Sequence, residues 1–386
     1  MKKLTLGIVF TSALSAAQAN ADAAFVRDGR AGFVVSDFAF SLGPDAAESG
    51  ACPQGLSRNP MEIFALQTGA RRRANESEEA FAKRLQAGAK VLSTAANGQN
   101  LCLHPEAGSP DPYFKTVQGN DIAVPGLDLD GASGPEDFRG GIDNQFYRVV
   151  GCSRSYQSTG QSNGFAIEML TGSWGIVLEL SGVDDIRNDP EVTVAIAANA
   201  DPIQLSTTRE PLAYATYAKD QDPRFRALTR GQIVNGVLTT EPVTVRFHSV
   251  VNSMQLERPL HEARIRATLS EGGTLDGFLA GYTPVDAMYD MQYGYRNGKT
   301  ASGELAPLAL RMGSSNGAAS VLGHTCHGAY YALREHADAM PDPDSGRFTA
   351  ISTQYRFRAI PAFVVDIETE GGNAGIKQSV EYRNDY

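Results

Sequence analysis

The stretch Ala263-Arg264-Ile265-Arg266-Ala267-Thr268-Leu269 decides the fold class, because its odd positions are apolar and its even positions polar. A period of two is the signature of a β-strand with one dry and one wet face. Glu271-Gly272-Gly273-Thr274 follows and leads into Leu275 to Tyr282, so residues 260–282 read as a β-hairpin. Working outward, short β-type runs recur at Trp174 to Leu180, Val192 to Ala198, Val243 to Phe247, Ile351 to Arg358 and Ala362 to Ile367. Ala24 to Leu42 is β-prone, and the alternation of Phe146, Arg148 and Val150 with Tyr147 and Val149 is read as a further strand. Parallel strands need helical crossovers between them, and no long helical pattern separates these runs. The expected class is therefore α+β, mainly β: an antiparallel sheet or β-sandwich with a helical N-terminal part and a C-terminal helix.

Helical spacing occurs at Pro60 to Gln67, at Asn75 to Leu92 with Asn75 and Glu78 placed like a capping pair, and at Val285 to Tyr293. Ala318 to Met340 is expected to be the longest helix, with Leu322, Cys326, Ala329, Leu333 and Ala337 as its apolar seam and Pro341 and Pro343 as its stop. These readings divide the chain into residues 20–125, helical and disulfide-stapled; 126–370, β-rich with the helix 318–340; and a flexible tail, 371–386. The Gly/Asn-rich composition after Glu370 motivates the last boundary.

Lys2 and Lys3, the apolar run Leu4 to Ala17 and the small-x-small triplet Ala17-Gln18-Ala19 have the form of a secretory signal peptide, residues 1–19. The run is short for a bilayer span, which takes about 20 apolar residues, so no transmembrane segment is expected after cleavage. An exported chain, periplasmic or extracellular, is one in which disulfides persist. Four cysteines allow three pairings; we expect Cys52 with Cys102, closing a helical excursion, and Cys152 with Cys326, tying the centre to the C-terminal part. The chain carries 44 acidic against 34 basic side chains. Such a surface repels phosphate backbones and anionic lipid, which argues against nucleic acid as a partner.

The most distinctive chemistry lies between Gly126 and Cys152, where Asp128, Asp130, Glu136, Asp137 and Asp143 share a glycine-rich loop. Hard cations such as Ca2+ take several oxygen ligands, and glycine lets backbone carbonyls turn inward to join them. The EF-hand template fails: Ala132 stands where a third ligand is needed, Ser133 replaces the obligatory Gly, and Arg139 replaces the closing Glu. A looser site built on Asp128, Asp130 and Asp143 remains, beside the plainer reading that the aspartates only form turns. Asp184, Asp185 and Asp189 make a second acidic turn, for which turn formation is the stronger reading. Arg71, Arg72 and Arg73 read as a solvated cluster.

Two Gly-x-Ser-x-Gly matches, at Ser162 and Ser315, raise a serine-hydrolase reading. Every histidine after Ser315 falls on the one expected helix, and the residues before Ser162 are polar rather than strand-like, so neither completes a triad. His324-Thr325-Cys326-His327 lacks the second cysteine that haem attachment needs, Gly323 standing there instead. As a zinc pair, His324 and His327 would need a third ligand such as His248 or His261, His336 facing away. His327, Tyr331 and Glu335 line one helical stripe, and Trp174 with Tyr147 and Tyr156 forms either a sugar platform or core.

The segments Gly126-Leu-Asp-Leu-Asp-Gly, Gly141-Ile-Asp-Asn-Gln145, Val150-Gly-Cys-Ser-Arg154, Ser181-Gly-Val-Asp-Asp185, Gly236-Val-Leu-Thr-Thr-Glu-Pro242 and Arg358-Ala-Ile-Pro-Ala-Phe363 resemble a set found in uncharacterised exported proteins of Gram-negative bacteria. The resemblance implies a shared fold and an envelope or extracellular setting, and it carries over no activity and no catalytic residue. The functional expectation is an exported binding or structural protein with a Ca2+-type acidic loop and an unknown ligand or envelope partner. The alternative is a secreted hydrolase, metal-dependent at His324 and His327 or serine-dependent at Ser162.

Overall fold

A computed structural model describes residues 23–367, apart from 163, 166–168, 170–173, 200, 252–253, 296–301, 303–305, 308 and 311–314. The expected signal peptide and C-terminal tail, and Gly313 and Ser314 of the second serine motif, lie outside the described residues. Eight strands form the frame: β1 (Arg30–Phe40), β2 (Gly175–Ser181), β3 (Asn188–Asn199), β4 (Arg226–Val234), β5 (Val237–Thr240), β6 (Met254–Leu269), β7 (Leu275–Pro284) and β8 (Phe348–Pro361). Each pairs antiparallel with the next, and β8 pairs antiparallel with β1, from Tyr355 opposite Phe40 to Pro361 opposite Phe33. That last pairing overturns the β-sandwich expectation: the sheet is a closed eight-stranded barrel with three extra strands. Closure abolishes both free edges of the ring. The mainly β, antiparallel character holds.

The hairpin expected over 260–282 is β6–β7, with Leu269 opposite Leu275 and Gly273 at φ 82° in its turn. Its dry positions Ala263, Ile265, Ala267 and Leu269 are buried in the barrel interior, while Arg266 and Thr268 are exposed. Phe33 and Phe38 of β1, Ile176 and Leu178 of β2, Val194 of β3, Ile233 of β4 and Tyr355 of β8 join them in one continuous apolar core. The barrel is thus filled by side chains rather than open as a channel.

Its two ends differ. At one end the strands turn tightly, as at Asn235-Gly236, where both residues have positive φ (53° and 77°) as a two-residue hairpin demands. From the other end leave the connections 41–174, 200–225, 241–253 and 285–347. The two longest carry α1 (Pro60–Thr68), α2 (Glu78–Ala89), α3 (Gln145–Val150), α4 (Val285–Tyr293), α5 (Ser315–Leu322) and α6 (Cys326–Glu335). They cap this end.

Several local expectations need correction. Residues 145–150 are helix, not strand: Asn144 caps them by accepting from the Tyr147 N–H at 3.1 Å, and all six residues are buried, so their alternation marked no wet face. The helix expected over 318–340 breaks at Gly323, whose φ is +77°, restarts behind Thr325 as α6, and ends at Glu335, with residues 339–341 forming an edge strand. Ser77, not Asn75, caps α2. The disulfides are Cys52–Cys152 and Cys102–Cys326, against the expected pairing. The cause is α3, which returns the chain to Cys52: the Ser57 N–H donates to the Cys152 carbonyl at 2.8 Å. Cys102 instead lies under the second insertion, its carbonyl accepting from Tyr289 Oη at 3.0 Å, so Cys102–Cys326 joins the two caps.

Candidate functional site

The acidic loop lies against the outer wall of β7 and β8. Leu127 and Leu129 pack with Ala280, Tyr282 and Ala350, side chains that point outward from those strands. Gln354 of β8 clamps both ends of the loop: its Oε1 accepts from the Leu127 N–H at 3.0 Å, and its Nε2 donates to the carbonyls of Leu127 (2.8 Å) and Asp143 (2.7 Å). Ser352 Oγ accepts from the Gln145 N–H at 2.8 Å, and Arg264 donates to the Leu129 carbonyl. Behind the loop, Arg148 is buried and donates to the carbonyls of Val117 and Gly119 (3.3 Å each) and Glu136 (2.7 Å), with its guanidinium 4.5 Å from the Phe138 ring centre. A buried cation satisfied by carbonyls fixes backbone it could not fix from solvent.

Held this way, Asp128, Asp130 and Asp143 each bring a carboxylate oxygen within 4.8 Å of the others. Ca2+ binds oxygen at roughly 2.4 Å, so ligands around one ion lie up to about 4.8 Å apart. One oxygen of each is tied down: Asp128 Oδ1 accepts from the Gly131 N–H (2.6 Å), Asp130 Oδ1 from Ala132 (2.8 Å), and Asp143 Oδ2 from Leu129. Asp128 and Asp130 are exposed, whereas Asp143 is 5% exposed. Burial pushes the Asp143 carboxyl up to about 7 against the pull of the Leu129 N–H, and Asp130, Asp137 and Asp338 add to the rise. Asp338 is itself pushed up to about 6, chiefly by burial, although it accepts from the Ser352 N–H at 2.7 Å. No basic side chain forms an ion pair with any of the three aspartates among the described residues. The arrangement is one of converging negative charge that a cation would relieve.

The other predicted sites are not assembled. Ser162 is half-buried, its N–H donating to the Ser155 carbonyl at 2.9 Å, and no imidazole hydrogen-bonds it among the described residues. His324 precedes α6 rather than lying on it, is fully buried, and shares Nδ1 with Tyr293 Oη at 2.8 Å; burial holds its imidazole down to about 4. It does not share a helix face with His327, and no three-residue metal group includes either among the described residues. His248 pairs instead with Asp220 at 2.6 Å. Trp174, Tyr147 and Tyr156 are core. Arg71, Arg72 and Arg73 are exposed. The residues that position the loop, Gln354, Arg148 and Arg264, are not singled out by sequence; Gln354 and Arg264 are distant in the chain from the loop they hold, and Arg148 sits in an alternation that reads as strand.

Comparison with known proteins returns no match to a family model, to a curated protein or to a solved structure.

Proposed function

We propose that this chain is an exported, non-catalytic binding protein built on a filled barrel, in which Asp128, Asp130 and Asp143 hold a divalent cation of the Ca2+ type. The observation that carries the reading is the convergence of three carboxylates within 4.8 Å on a loop clamped to the barrel wall. Export is supported by the Lys2-Lys3 start with its apolar run and Ala17-Gln18-Ala19, and by two disulfides. No helix among the described residues is long and apolar enough to cross a membrane. Bound to the native state and not to the unfolded chain, the cation would stabilise the loop by mass action.

The test is titration calorimetry with Ca2+ and Mg2+ on chelator-treated protein, with melting temperature followed in parallel. Ca2+ should release heat and raise the melting temperature by several degrees, and Asp130→Asn should lose both. A protein whose melting is indifferent to Ca2+ and to chelator overturns the reading.

A further inference from the structure

A cleft lined by none of the three aspartates opens at the capped end of the barrel. It encloses about 990 Å³ between α6, the start of α4, the loop around Glu106, the turn 342–347 and the start of β8. Concave sites of this size, walled by elements from several parts of a chain, are where small ligands bind.

Its charge selects the ligand. Glu106, Asp286, Glu335 and Asp342 line it against two guanidiniums, Arg334 and Arg347. Arg334 is already committed, paired with Asp286 and stacked 3.6 Å from the Tyr330 ring centre. The surplus is negative, so phosphates and carboxylates are disfavoured. His261, which also lines the cleft, adds no positive charge: burial, and after it Arg246, hold its imidazole below the ordinary value. Its Nε2 is buried and makes no hydrogen bond among the described residues.

Apolar contact is present as well. Phe348 and Met340, both cleft residues, are 49% and 42% exposed, and Tyr331 stands beside Tyr330 with ring centres 5.2 Å apart. The edge strand Ala339–Pro341 does not invite pairing by an extended peptide, because Pro341 has no N–H and Met340 has a φ of 56°. Arg334 shows what the wall accepts: a cation over a tyrosine face, closed by a carboxylate.

We propose that this cleft binds an organic cation, an amine or guanidinium on an apolar chain, with Glu335 and Glu106 taking the charge and Tyr331, Phe348 and Met340 the hydrocarbon. The chemistry is shared by free polyamines and by the side chains of a basic peptide. Calorimetry with spermidine and with a tri-arginine peptide separates the two sources, each run in saturating Ca2+ so that the aspartate loop does not contribute. At least one probe should bind. Glu335→Lys, at an exposed helix position, should weaken that binding by about tenfold or more, while Glu335→Gln weakens it less. Circular dichroism and melting temperature of both variants establish that they fold. Absence of heat with both probes, or binding unchanged in Glu335→Lys, overturns the proposal.

Discussion

Two acidic turns of similar composition behave differently in this molecule. In the turn at Asp184, Asp185 and Asp189, the carboxylate of Asp189 is taken up by its own backbone: Oδ2 accepts from the N–H groups of Asp184 (2.7 Å) and Asp185 (3.3 Å), and Oδ1 from Glu191 (3.1 Å). In the loop at Asp128, Asp130 and Asp143, each carboxylate accepts one backbone N–H, and the three converge. Aspartate density therefore does not make an ion site. What separates the two is the third carboxylate: Asp189 is consumed by its own turn, whereas Asp143, 13 residues beyond Asp130 and clamped through its carbonyl by Gln354, converges with the other two.

The strongest way to break the comparison exchanges charge for shape at the two anchors. Asp143→Asn should lower Ca2+ affinity by roughly a hundredfold, since a buried ligand charge is lost, while the cation-free protein should gain stability at neutral pH, because the amide has no proton to hold against an ionised unfolded chain. Asp189→Ala should do the reverse. Asp189 is 3% exposed, and removing it strands three backbone N–H groups, at a cost of about 2–4 kcal/mol. Ca2+ binding would be untouched. Calorimetry and denaturant melts on both variants check this, and a loss of Ca2+ binding in Asp189→Ala would erase the distinction.

A second effect concerns pH. The folded Asp143 titrates near 7 and Asp338 near 6, both raised from an ordinary carboxylate value of 3.8. Between the ordinary and the raised values the unfolded chain has already lost the protons that the fold retains. The stability these groups confer is full below about 4 and is lost as pH rises through 6 to 7. Cation-free protein should therefore melt lower at pH 8 than at pH 5. Ca2+, which favours the ionised carboxylates, should flatten or reverse the slope, and Asp143→Asn should remove the part above pH 6. Melting curves across this range with and without chelator decide it.

The legibility of the molecule from sequence follows the range of the interactions. The β6–β7 hairpin could be read because its pattern and its turn are local: Ile265 and Leu279 face one another across a tight turn. Barrel closure could not, because Phe33 and Pro361 pair across nearly the whole chain and neither strand's alternation names its partner. The cysteine pairing failed for a related reason: residues 145–150 alternate like a strand that would carry Cys152 away from Cys52, whereas the helix they form brings it back. The aspartate cluster was legible as residues, since Asp128, Asp130 and Asp143 share one glycine-rich loop. Its support was not, because Gln354 and Arg264 reach it from strands more than a hundred residues away.

The smallest effect sharpens the comparison at a single methyl group. Gly141 and Gly182 both have a φ of +75°, so alanine at either position incurs a backbone penalty of roughly 1–2 kcal/mol. Around Gly182 a Cβ meets nothing within 4 Å among the described residues, and the cost should stop there. At Gly141 the same atom would lie 3.0 Å from the Ala132 carbonyl oxygen and 3.2 Å from Asp128 Oδ2, so the loop must move the ligand to make room. Gly182→Ala should thus lower stability while leaving Ca2+ affinity as it is, and Gly141→Ala should lower both, affinity by several-fold. Equal affinities in the two variants would mean that Asp128 is not a ligand, because its carboxylate is what the added methyl group displaces.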